Sequence, residues 1–139
     1  MDKKILCIDD AVPILLLYQR IFEEHGYRVS LAANGWEGLN ALNQGNIDCV
    51  VLDYQMPGLD GAAILGHMAR RGMTAAVILV SGADPPIELR SQVQAVLEKP
   101  MRIAELLKCV ERALRTRQAD PRNIHVRRTF YDSQIHHDA

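Results

Sequence analysis

An adjacent pair of aspartates, Asp9-Asp10, a third at Asp53, a serine at Ser81 and a lysine at Lys99 are the residues through which this chain of 139 amino acids could do chemistry. Carboxylates drawn together repel one another and raise each other's pKa unless a cation offsets their charge, and hard oxygen ligands suit Mg²⁺. The acids therefore imply a metal. Such a metal can clamp a phosphoryl group while one carboxylate attacks it. A lysine ammonium then neutralises the phosphoryl oxygens, and a serine hydroxyl donates a hydrogen bond to them. This is aspartyl-phosphate chemistry, on the condition that the fold brings the five side chains to one place.

The surrounding sequence meets that condition. From Lys4 onward, short β-rich runs alternate with amphipathic stretches, which is the pattern of a parallel sheet with helices on both faces. Strands are expected at about Lys4 to Ile8, Arg28 to Ala32, Cys49 to Asp53, Ala76 to Ser81 and Ala95 to Glu98. The third and fourth are near-continuous apolar runs, as strands buried on both faces should be, and so belong in the middle of the sheet. In open α/β sheets, ligands gather beyond the carboxyl ends of the strands where the strand order reverses. Asp9 and Asp10 follow the first strand, Asp53 ends the third, Ser81 ends the fourth, and Lys99-Pro100 follows the fifth. All five side chains thus land on one rim.

The helices carry their own signals. Pro13 suits a first helical turn, and Leu16, Leu17, Arg20, Ile21 and Glu24 follow before Gly26, a plausible left-handed stop. Trp36, Leu39, Ala41 and Leu42 make a short second helix ending near Gly45, with Trp36 as a half-buried anchor. Asp60 caps a third helix, on which Ala63, Ile64, His67 and Met68 share a face. Asp84-Pro85-Pro86 can open a fourth, but the fifth strand follows so soon that this helix must be short or irregular. Ile103, Leu106, Leu107, Val110, Ala113 and Leu114 form the apolar stripe of a final helix from about Arg102 to Thr116. Asp120-Pro121 breaks the pattern, so residues 1–118 read as the folded domain and 119–139 as a flexible tail.

With the motifs placed, the chain resembles the receiver domains of two-component response regulators. The resemblance rests on Asp9-Asp10, on Asp53-Tyr-Gln-Met-Pro-Gly-Leu-Asp-Gly61, on Ser81-Gly82 and on Lys99-Pro100, and spans roughly residues 3–117. It implies a flavodoxin-like (βα)5 fold, a doubly wound parallel sheet in the order 2-1-3-4-5, with two helices on one face and three on the other. It implies Asp53 as the phosphoacceptor, Asp10 as a direct Mg²⁺ ligand, Asp9 as a ligand acting partly through water, and the Gln55 backbone carbonyl as a further ligand. Lys99 would reach the phosphoryl oxygens, Ser81 would swing toward the phosphate, Gly82 would keep the approach open, and the Lys99-Pro100 bond would be cis. The phosphoryl donor would be a phosphohistidine of a histidine kinase or phosphotransfer protein, and the output would go to a downstream protein target, with homodimer formation left open.

Three departures bear on mechanism. Val96 stands where the family usually has an aromatic residue that turns inward on activation, so an aromatic rotamer switch is in doubt. The stretch from Ser81 to Lys99 is about one helical turn shorter than usual and lacks the customary Gly-Ala before the fifth strand. Met101 replaces a customary phenylalanine. The first two features are the only support for a rival reading, a receiver-shaped interaction module that works without phosphorylation. A hydrolase with an aspartyl nucleophile is a second rival, but it would need an acid two positions after the nucleophile, and Gln55 is there.

Composition sets the outer bounds. A chain with 48% hydrophobic and 24% charged residues has the profile of one globular domain. Sixteen Lys and Arg against 17 Asp and Glu leave a formal charge of -1, which holds the protein to neither nucleic acid nor an anionic membrane. Arg112, Arg115, Arg117, Arg127 and Arg128 then read as a solvated face. The three cysteines, Cys7, Cys49 and Cys109, lie in apolar runs without CxxC spacing and suggest filling in a reducing cytoplasm rather than disulfides or zinc. The short apolar run Ile5 to Ile8 is neither a signal peptide nor a membrane span, so Met1 reads as the start of the fold. His67 reads as structural and His136-His137 as part of a solvated terminus.

Overall fold

The structure is a computed structural model that describes the backbone of residues 2–119 and the side chains of residues 2–116. Its elements alternate strictly: β1 (Lys4–Ile8), α1 (Val12–Glu24), β2 (Arg28–Ala32), α2 (Gly35–Gln44), β3 (Cys49–Asp53), α3 (Gly61–Arg70), β4 (Ala76–Ser81), α4 (Ile87–Arg90), β5 (Ala95–Glu98) and α5 (Ile103–Ala119). All pairings are parallel, and the sheet order is β2-β1-β3-β4-β5. Every residue of β3 and β4 is buried, as their uninterrupted apolar sequences require.

Side chains alternate across the sheet with the period of two that extended backbone dictates. Ile5, Cys7, Cys49, Val51, Ile78 and Val80 pack against α1 and α5. Leu6, Ile8, Val50, Leu52, Val77 and Leu79 pack on the opposite side, with α2, α3 and Leu89 of α4. The expected division of two helices against three is therefore present.

Local signals explain where the helices begin. The Asn34 side chain accepts from Glu37 N at 2.9 Å, while Glu37 Oε1 accepts from Ala33 N at 2.8 Å, a reciprocal cap on α2. Asp60 Oδ1 accepts from Ala63 N at 3.1 Å and caps α3. Gly35 lets α2 press against the loop after β3, since a Cβ there would collide with the Leu59 carbonyl.

Several expectations need correction. Trp36 is 68% exposed rather than half-buried. The buried residues of α2 are Gly35, Gly38 and Leu42, and a neighbour of Gly35 is turned about 100° off that stripe. On α1 the buried residues are Leu15, Tyr18 and Phe22, so the Leu16 and Leu17 noted from sequence stand mostly outside. α5 continues to Ala119, three residues past the expected end at Thr116, as the good helix propensities of Arg117, Gln118 and Ala119 allow. The expected flexible tail lies outside the described residues except for Ala119, as do His136 and His137.

The chain between β4 and β5 is compact, with an α4 of only four residues. Strand β5 starts, as the sequence shows, without the family's customary Gly-Ala, and a side chain takes part in its registration. The Val77 N–H donates to Gln94 Oε1, while the Gln94 N–H donates to the Val77 carbonyl at 2.9 Å. Among the described residues, no helix is long and apolar enough to cross a membrane.

Candidate functional site

Each strand end delivers one part of the site. β1 runs into Asp9, which is 1% exposed, and then into Asp10, which is exposed. β3 ends at the buried Asp53. Carboxylate oxygens of these three residues all lie within 4.8 Å of one another. One divalent cation with oxygen ligands at about 2.0–2.6 Å can bridge such a set. The residues present therefore fit an Mg²⁺ ion.

Lys99 completes the arrangement from β5. Its Nζ stands 3.5 Å from Asp53 Oδ1 and 3.6 Å from Asp9 Oδ2, with the side chain partly open to solvent. The peptide bond to Pro100 is cis. Asp9 Oδ1 also accepts from Ala11 N at 2.9 Å, which fixes its rotamer at the entrance to α1.

The Asp53 carboxyl group is pushed up to about 6. Burial is the main cause and the nearby Asp9 carboxylate adds to it, while Lys99 and the backbone N–H of Gln55 pull the other way. That N–H donates to Asp53 Oδ1 at 3.3 Å. The group is thus poised to be largely ionised at neutral pH, and any added cation would favour ionisation further.

Ser81 is buried at the end of β4, where its hydroxyl is engaged locally, donating to the Ala83 carbonyl and accepting from Ala83 N. Gly82 leaves room beside it, where an added Cβ would lie 3.6 Å from Gln55 Oε1. Val96 is half-buried and packs with the α2, α3 and α4 cluster. The structure thus brings Asp9, Asp10, Asp53 and Lys99 into direct proximity and holds the Ser81 hydroxyl against its own loop. One residue beside the site was not singled out from sequence. Tyr18 of α1 sits close enough to Asp9 and Asp53 for their charges to raise its phenol above the ordinary range, after the larger effect of burial. Only its spacing from Leu15 and Phe22 on a buried stripe could have pointed inward.

The fold and the acidic rim define a class of protein, and comparison with known sequences places the chain within it. The family model described as the response regulator receiver domain matches residues 5–111, and the chain belongs to that family. The transcriptional regulatory protein YkoG of Bacillus subtilis is 30% identical over 135 residues, covering 94% of this chain and 59% of that protein. Sporulation initiation phosphotransferase F of the same organism is 40% identical over 68 residues, covering 49% of this chain and 55% of its own length. The match thus spans little more than half of these relatives. Among solved structures, the response regulator TrrA of Thermotoga maritima, in complex with Mg²⁺ and BeF, superposes with a TM-score of 0.70 at 30% identity. That alignment covers 80% of this chain and 98% of the other. The chain is thus a receiver domain of the response-regulator family.

Proposed function

We infer that this protein accepts a phosphoryl group on Asp53 from a phosphohistidine, carried by a histidine kinase or a histidine phosphotransfer protein, and passes the event to a downstream protein. The observation that carries this reading is the convergence of three carboxylates within 4.8 Å with the Lys99 ammonium 3.5 Å from Asp53.

In the transfer, an ionised Asp53 oxygen attacks phosphorus. The new acyl phosphate bond forms as the N–P bond breaks, and the electron pair of that bond returns to the imidazole. Lys99, already between Asp53 and Asp9, would move its charge onto the phosphoryl oxygens. An Mg²⁺ ion held by Asp9, Asp10 and Asp53, with the Gln55 carbonyl as a further ligand, would offset the negative charge at the reacting centre. Ser81 must release Ala83 before its hydroxyl can reach a phosphoryl oxygen. That exchange of partners would couple the modification to the loop leading into α4. A cytoplasmic location fits the chemistry of such a donor.

The rival reading, a phosphorylation-independent interaction module, draws support from Val96 and from the four-residue α4. One experiment separates them. With Mg²⁺ and acetyl phosphate, the wild type should become labelled and Asp53→Asn should not, as read by intact mass. Undiminished labelling of Asp53→Asn would move the acceptor elsewhere, and an unlabelled wild type would favour the rival.

A further inference from the structure

At the end of the sheet opposite the acidic rim, a hollow of about 330 Å³ opens between α3 and the segment that leads from α4 into β5. Leu65 and Met68 of α3, together with Met73 and Val77, form its apolar walls, and residues 91–94 close the remaining side. α4 ends at Arg90, so the chain that follows borders the hollow as a turn instead of as helix. Val77 stands four residues before Ser81 on β4, which keeps the hollow well apart from the phosphoacceptor.

Gln94 gives the hollow a polar point. The residue is only 3% exposed, and its Oε1 accepts from the Val77 N–H. That bond fixes which way the amide faces, because only its oxygen can meet a donor. The two N–H groups of Nε2 are left on the side of the hollow, and among the described residues they have no partner. Buried donors without an acceptor are costly, so this pair awaits a ligand or water. The polar groups at the mouth are already engaged, since Ser91 Oγ and Gln92 Nε2 each donate to the Glu88 carbonyl at 3.0 Å. No charged residue lines the hollow among the described residues. An ionised ligand would lose its hydration there without gaining a counter-charge. What fits is a neutral molecule that is apolar except for one acceptor.

Volume sets the size. An apolar cavity of about 150 Å³ takes a single benzene ring, so roughly twice that space takes two fused rings. The mouth does not suit a protein partner, because the large exposed apolar residues, Val12, Leu16, Leu17, Trp36 and Ile87, all lie outside the lining. We propose that this hollow binds a small, neutral, two-ring molecule bearing a carbonyl, of the lactone or aromatic ketone class. The carbonyl accepts from Gln94 Nε2 while the rings lie against Leu65 and the thioethers of Met68 and Met73, which pack well on aromatic edges. Neither Asp53 nor a metal takes part, so the site is a second point of input, independent of phosphorylation.

Coumarin, a neutral lactone of two fused rings, is the probe, and coumarin-3-carboxylate is its charged counterpart. Titration into the ¹⁵N-labelled full chain should move the Gln94 side-chain NH₂ resonances downfield and saturate with a Kd of about 1 mM or below. The carboxylate should bind weaker by about tenfold or more. Ala69→Trp, changed at an exposed helical position on the mouth, should weaken coumarin by a similar factor with an unaltered melting curve. Asp53→Asn should bind coumarin like the wild type. A Gln94 NH₂ pair that stays in place at saturating coumarin would show that water alone serves these donors, and would overturn the site. So would shifts confined to Trp36 or Ile87, which would report adsorption on exposed apolar residues. Equal affinity for the carboxylate would refute the neutral ligand class, and equal affinity in Ala69→Trp would refute the placement.

Discussion

Asp53 is a buried carboxyl group held beside a second carboxylate and within reach of a lysine, and its titration follows from that position. It is raised from 3.8 to about 6. A raised acid favours the protonated form in the fold, so its contribution to stability is complete below about pH 4 and is lost as the pH climbs through about 6. Asp53→Asn removes the ionisation. In metal-free buffer, it should therefore be more stable than the wild type at neutral pH by on the order of 2–3 kcal/mol, with the gap closing below about pH 4, as measured by urea denaturation. A gap that stayed constant with pH would contradict the raised titration. Lys99 acts in the opposite direction on the same group. Lys99→Ala should move the Asp53 titration further above 6, which carboxyl carbon NMR would read directly; a downward move would show that Lys99 is not the cation that matters.

At the scale of elements, the segment between β4 and β5 sets this receiver apart. α4 has four residues, and β5 takes its register in part from the Gln94 side chain, bonded to the Val77 N–H in the place of a backbone acceptor. Val96 packs into the same side of the sheet. With no aromatic ring at that position to change rotamers, the proposed release of Ser81 from Ala83 would act on the backbone of a short loop. α2 illustrates the opposite case, a tightly fixed helix. Gly35 abuts the Leu59 carbonyl in the loop that follows Asp53, so Gly35→Ala forces backbone apart. It should cost about 1–3 kcal/mol and several degrees in Tm. A melting temperature equal to the wild type would mean that the loop moves aside freely.

The whole molecule is a device for holding like charges together at one end of a sheet, and its stability should answer to what neutralises them. An Mg²⁺ ion that binds the folded acids and not the unfolded chain stabilises by mass action, about 2.7 kcal/mol at a hundred times Kd. Wild-type Tm should rise with Mg²⁺, and the rise should shrink in Asp10→Asn. An Mg²⁺-independent Tm would count against a shared ion.

How much of this was legible before folding depended on the range of each signal. The inner strands β1, β3 and β4 were readable because burial on both faces of a parallel sheet demands apolar runs, and the edge strands β2 and β5 because short β-rich runs stand between turn residues and helical stretches. The cap at Asp60 and the stop at Gly26 are likewise written within a few residues, whereas the Asn34 cap came to light only in the structure. Those facts place Asp9, Asp10, Asp53, Ser81 and Lys99 at strand ends, and hence on one rim, by chain geometry alone. Distances were another matter. The 4.8 Å grouping of the acids, the attachment of Ser81 to Ala83, the inward turn of Tyr18 and the exposure of Trp36 depend on how helices rotate and loops settle against a sheet. Those settings come from packing between residues far apart in sequence, and a local pattern of residue types carries the period of a helix more reliably than the angle at which it is set down.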